Sequence, residues 1–294
     1  MSSPAAHELP HAAAKREREL IEWLREHDSL LLGFSGGVDS AYLACVAVEA
    51  IGADRFLAVI GCSASYPAEQ WQVARDVASR AGIHVLEVDT HEMDDPRYVA
   101  NPTNRCYFCK SELWSVLERV RVERGIATII DGTNADDLSD HRPGKKAASE
   151  QGIRSPLAEL GFSKADIREL SHARGIPTWS QPSSPCLSSR LPYGTPVTVT
   201  RLSAVERAER ALRTLGVAGN LRVRHHGDVA RVEMDLAEVE RWRADERAAR
   251  LEDAVRAAGF ARVDIDPRGF RSGSLNVLAG VLPDRGDSAP LSRS

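Results

Sequence analysis

The feature that most constrains this chain is the passage from Leu30-Leu31-Leu32-Gly33-Phe34 into Ser35-Gly36-Gly37-Val38-Asp39-Ser40 and then into Ala41 to Ile51. An apolar run of that length reads as a buried strand, and the segment after the loop reads as a helix. A strand that feeds a helix through two glycines presents free backbone N–H groups and the positive helix end at one point, which suits phosphate. Gly36 and Gly37 remove Cβ atoms from that point. Ser35 and Ser40 can donate hydroxyls, whereas Asp39 is too negative to face phosphate and reads as a magnesium ligand. The loop does not end in Gly-Lys-Ser/Thr, which argues against the ordinary P-loop.

The pattern continues on both sides. A polar helix is expected from about His11 to Glu26, and strands at Phe56 to Ile60, Ile83 to Val88 and Ala127 to Asp131. Helices are expected from Pro67 to about Arg80 and from Ser111 to Glu123. This alternation predicts an α/β fold, a parallel sheet with helices on both faces. Ser63 after the second strand, and Gly132, Thr133 and Asp136 after the fourth, fall at the carboxyl ends of strands, where such sheets bind ligands. Ser163-Lys164-Ala165-Asp166 has the form of a capping box opening a further helix, which ends before Gly175.

Residues 178–196 are rich in Ser and Pro and read as an ordered loop or boundary. Beyond them come a helix (Arg201 to Leu215), strands Leu221 to Arg224 and Val229 to Met234, a helix from about Leu236 to Ala258, and a strand Arg262 to Ile265. The expected organisation is a domain over residues 1–195, a smaller C-terminal α+β domain over 196–283, and a disordered tail over 284–294. His225-His226 reads as a surface turn.

Composition narrows the partners. The formal charge of −4 is a near-cancellation of 38 basic and 42 acidic residues without a basic stripe, so a long nucleic acid is not expected. No apolar run approaches the roughly 18 residues that span a bilayer, so the chain is expected to be cytoplasmic. Five cysteines in 294 residues do not make a disulfide framework. Cys45 and Cys62 lie in apolar surroundings and read as core. Cys106-x-x-Cys109 stands at the entrance of a helix between Arg105 and Lys110, where dipole and cations favour thiolates. The pair is compatible with half a zinc site, completed by His141 or His172, with a redox pair, with two ligands of an iron–sulfur cluster, or with packing alone.

The sextet SGGVDS resembles the PP-loop signature of the ATP pyrophosphatase superfamily. Taken with RCYFCK, PCLSSRLPYG, the segment LRVRHHGDVARVE and the closing GFRSGSLN, in order from about Leu20 to Leu282, the chain resembles the LarE family of ATP-dependent sulfur transferases. That resemblance implies ATP and Mg2+ as cofactors and Ser35 to Ser40 as the nucleotide loop. It implies adenylation of a carboxylate of a pyridinium dicarboxylate mononucleotide, followed by sulfur delivery, in making a nickel-pincer nucleotide. Sulfur would come sacrificially from Cys186, or from a [4Fe–4S] cluster on Cys106, Cys109 and Cys186 reloaded by a sulfur donor. Tyr107, Lys110, Arg190, Arg222, Arg224 and Arg271 would touch the substrate, and the assembly would be a homo-oligomer, a hexamer in the fullest form of the expectation. Two other readings stay open on the residues: a PP-loop tRNA thiolase, and a nucleotide-binding assembly protein without turnover.

Overall fold

The computed structural model describes residues 11–139, 143–182 and 184–271. The expected tail over 284–294, His141 and most of GFRSGSLN lie outside them. Two compact units emerge, one running to Val99 and over Asn104–Cys186, the other over Ala100–Thr103 and from Leu187 onward.

The first unit contains α1 (His11–Arg25), β1 (Leu30–Gly33), α2 (Val38–Ile51), β2 (Phe56–Cys62), α3 (Ala68–Ala81), β3 (Val85–Asp89), α4 (Pro96–Val99), α5 (Arg105–Arg124), β4 (Thr128–Ile130), α6 (Pro143–Glu150), α7 (Pro156–Glu159) and α8 (Lys164–Ala173). Its four strands are parallel in the order β3-β2-β1-β4. Alternation along β1 explains why both faces are covered. Leu30 and Leu32 point into a core shared with Tyr42, Val46, Phe162 and Leu170, while Leu31 joins Val59, Trp114, Leu117 and Ile129 on the other side. At Gly33 a Cβ would stand 2.8 Å from the Trp114 ring, so the missing side chain lets α5 close on the sheet. The capping box on α8 is present in both directions, Ser163 accepting from the Asp166 N–H and Asp166 from the Ser163 N–H.

The second unit contains α9 (Val199–Leu215), β5 (Leu221–His226), β6 (Val229–Met234), α10 (Leu236–Trp242), α11 (Asp245–Ala257) and β7 (Arg262–Ile265). Its mixed sheet runs β5-β6-β7, antiparallel then parallel. Two expectations are corrected here. The helix foreseen from Leu236 to Ala258 is two helices, because Ala244 is extended (φ −93°, ψ 137°). His225 and His226 end strand β5 instead of forming a surface turn, and His225 is buried against Phe260, the turn falling to Gly227-Asp228. Residues 100–103 join this unit through Asn101, wholly buried, whose side-chain amide donates to the Pro192 and Thr195 carbonyls at 2.8 Å each. Among the described residues no helix is long and apolar enough to cross a membrane.

Candidate active site

The loop between β1 and α2 is held from behind. Gly36 has φ +65°, and a Cβ there would lie 2.5 Å from the Ala74 Cβ on α3 and 2.7 Å from its Cα. Glycine is thus required at Gly36 by backbone and by α3. Gly37 differs: its φ is −72°, and an added Cβ would meet only the Ser35 Oγ at 3.5 Å. Gly37 is the N-cap of α2 and makes no side-chain cap, so the helix start is open to an external acceptor. Ser35 and Ser40 hydroxyls meet at 3.0 Å beneath the turn, and Val38, the first helical residue, is buried.

The turn after β4 abuts this helix start. A Cβ on Gly132 would lie 3.0 Å from the Ser40 nitrogen, so Gly132 brings the second loop against the first. Thr133 donates its hydroxyl and N–H to Asp131, at 2.8 and 3.0 Å. Asp136 accepts the Lys164 N–H at 2.7 Å, and the Lys164 ammonium meets Asp39 Oδ2 at 2.5 Å. Lys164 was not singled out by sequence, since only tertiary packing of α8 brings it to Asp39. The other oxygen, Asp39 Oδ1, is buried without a hydrogen-bond partner among the described residues. An unsatisfied buried carboxylate oxygen beside an open helix start suits a hard cation, so the residues fit Mg2+. Ser63 bonds Ser65 at 2.8 Å, and Ser65 donates to Glu92, a buried carboxylate.

The helix carrying the cysteine pair starts at Arg105, not at Ser111, so Cys106 and Cys109 lie in its first turns. The expectation of favoured thiolates is reversed. Burial pushes the Cys109 thiol pKa well up, with the charges of Glu92 and Cys186 adding to it and Lys110 opposing. Cys106 keeps surface exposure, yet the dense protein around it and Cys186 still raise its thiol, and Arg105 and Lys110 do not outweigh them. Cys186, half-buried and distant in sequence, belongs to the same unit and adds to the rise of both thiols. Among the described residues no three His, Cys, Asp or Glu side chains are gathered as a metal-holding group. Three thiols are the right donors for an iron–sulfur cluster; they are not assembled as its cage. Tyr107 donates to Glu150 at 2.6 Å, and the Lys110 ammonium sits 4.8 Å from the Trp114 ring centroid. His172, the alternative zinc ligand, is exposed on α8 with its ring 4.3 Å from that of Trp179.

Arg190, Arg222 and Arg224 belong to the second unit and are all buried. Arg190 makes a two-pronged pair with Glu209, both bonds 2.9 Å. Arg224 bonds Glu233 at 2.8 Å and the Ser189 carbonyl at 2.8 Å. Arg222 donates to the Leu221 carbonyl and lies 5.3 Å from the Phe270 ring. Burial, with Arg190, Arg224 and Arg213 nearby and Glu209 opposing, pushes the Arg222 pKa down to about 10. Arg271 is half-buried, its Nε lacking a partner among the described residues.

The sequence profile of the NAD synthase family matches residues 18–100, which span β1, the loop and α2. An uncharacterized protein of Synechocystis sp. is 43% identical over 87% of this chain and 95% of its own length. The pyridinium-3,5-bisthiocarboxylic acid mononucleotide synthase of Lactiplantibacillus plantarum is 33% identical over 90% of this chain and 94% of its own. An uncharacterized protein of Methanocaldococcus jannaschii is 27% identical over 71% of this chain and 79% of its own.

Proposed function

Because the chain belongs to the LarE family of PP-loop proteins, we propose that it converts a carboxylate of a pyridinium dicarboxylate mononucleotide to a thiocarboxylate at the expense of ATP. The carboxylate oxygen attacks the α-phosphorus, pyrophosphate leaves, and the resulting acyl adenylate is open to a sulfur nucleophile that displaces AMP. Bound Mg2+ would neutralise phosphate charge, with Asp39 as its ligand, and Lys164 adds a second positive group beside the same carboxylate. The start of α2 and the loop around Gly37 receive the departing pyrophosphate. The observation that carries this reading is the joint presence, in one unit, of an uncapped helix start packed on Gly132 and of the three cysteines Cys106, Cys109 and Cys186.

A cluster route would need Cys106, Cys109 and Cys186 drawn together as the cage of a [4Fe–4S] cluster, a gathering that the described residues do not show. A second route needs Cys186 alone: its thiolate forms a thioester, and loss of the Cα proton with cleavage of Cβ–S leaves dehydroalanine and the thiocarboxylate. In the second unit, buried Arg222, Arg190 and Arg224, with half-buried Arg213 nearby, gather positive charge that supports an anion partner there, a substrate phosphate or carboxylate. Five free cysteines suit a cytoplasmic protein.

The test is anaerobic turnover followed by mass analysis of both small molecule and protein, with iron and sulfide assays. Exchange of one oxygen for sulfur in the mononucleotide supports the reading, and unchanged mononucleotide overturns it. Loss of H2S from the protein marks the Cys186 route, whereas iron, sulfide and an unchanged protein mass mark the cluster route.

A further inference from the structure

One peptide of the nucleotide loop is pinned by side chains that the reaction itself does not use. The Ser35 carbonyl accepts the Gln70 Nε2 at 3.1 Å and the Tyr66 hydroxyl at 2.9 Å. Both donors lie on the α3 side, where Ala74 also presses on Gly36. In a trans peptide the carbonyl and the following N–H point in opposite directions. Fixing the Ser35 carbonyl toward α3 therefore turns the Gly36 N–H away from α3.

Gln70 is buried, at 5% exposure, and uses the other end of its amide as well. Its Oε1 accepts from the Gln181 Nε2 at 3.0 Å. Gln181 lies on the stretch that runs on to Cys186, and that stretch is clamped by Arg168 of α8, which donates to the Trp179 carbonyl at 2.7 Å and the Gln181 carbonyl at 2.8 Å. One glutamine thus joins the loop that handles ATP to the segment that ends in the third cysteine. A methionine would fill the same space without either bond.

We propose that Gln70 is a positioning residue that couples adenylation to sulfur delivery. Its Nε2 sets the Ser35–Gly36 peptide so that the Gly36 N–H is directed at the pyrophosphate oxygens. Its Oε1 keeps Gln181, on the stretch that leads to Cys186, in register with that loop. The adenylate then meets sulfur, instead of losing AMP to water and reverting to the carboxylate. The inference rests on the reading of this protein as an adenylating sulfur transferase.

The test compares anaerobically purified wild type, Gln70→Met and Gln181→Met in single turnover, recording pyrophosphate released, thiocarboxylate formed and the ATP concentration dependence, with thermal melts of each. Gln70→Met is expected to raise the ATP KM about tenfold and to lower thiocarboxylate per pyrophosphate several-fold. Gln181→Met keeps the bond to Ser35, so its ATP KM should stay within about twofold while the product ratio still falls. A glutamine that only filled space would leave KM and ratio at wild-type values in both variants, which overturns the proposal. Should Gln70→Met fail to fold, the ratio in Gln181→Met, altered at a half-buried residue, decides alone. If the wild type releases no pyrophosphate, the functional reading falls; if it does and both variants match it, only the coupling falls.

Discussion

Replacing Gly36 and Gly37 separately by alanine divides the loop's structural demands from its ligand demands. At Gly36 the added Cβ would overlap Ala74 at 2.5 Å, and the Ala74 Cα and N stand at 2.7 and 2.9 Å, so retreat of one side chain does not relieve it. The φ of +65° adds a left-handed penalty of roughly 1–2 kcal/mol, and the overlap adds about 1–3 kcal/mol. A total of about 2–5 kcal/mol is a large part of the ~5–15 kcal/mol that holds a domain together. Gly36→Ala should therefore lower the melting temperature by roughly 5–20 °C. Gly37→Ala meets only Ser35 Oγ at an ordinary 3.5 Å with φ −72°, so its melting temperature should stay near wild type. Its Cβ, however, stands at the uncapped start of α2, and ATP binding should weaken about tenfold or more. Calorimetric melts and pyrophosphate release against ATP concentration measure the two effects. An unaltered melt for Gly36→Ala, or an unaltered ATP KM for Gly37→Ala, would refute the reasoning.

Asp39→Ala should abolish pyrophosphate release while the protein remains folded, and full turnover by that variant contradicts the adenylation mechanism. Lys164→Met removes the positive charge beside Asp39, and on the proposed reading, in which that charge also helps hold phosphate, the ATP KM should rise about tenfold in the pyrophosphate assay. Cys45, whose thiol is pushed up to about 11 chiefly by burial, sets an alkaline limit. A raised thiol pKa favours the folded state fully below the ordinary value of 9.0 and loses that contribution as pH climbs to about 11. Urea unfolding at the two ends of this window should differ by up to about 2–3 kcal/mol from this group, a slope that Cys45→Ala should reduce.

The sheet was legible in sequence because its strands are short apolar runs that meet helices on both sides, as Leu30-Leu31-Leu32 does with one leucine on one face and two on the other. The capping box at Ser163 and Asp166 was legible for the same reason, being local. What was hidden depends on distant partners. The flanking cations are visible in sequence and oppose the rise, Lys110 at both thiols and Arg105 at Cys106, but burial arrives only with folding and raises both thiols, with Glu92 adding to it at Cys109. Lys164 and Gln70 carry no motif of their own, and their places beside Asp39 and Ser35 follow from how α8 and α3 pack. The strand pattern at Arg222 and Arg224 puts both on one face but does not reveal that β5 is buried on both sides, with Glu233 waiting across the ladder.

The claim on which the rest depends is cleavage of ATP between its α- and β-phosphates. Incubation with ATP, Mg2+ and a pyridinium dicarboxylate mononucleotide, followed by separation of the nucleotides, measures it directly. AMP and pyrophosphate in equal amounts, formed only when the carboxylate is present, is the predicted result; ADP with orthophosphate, or unconsumed ATP, would contradict it.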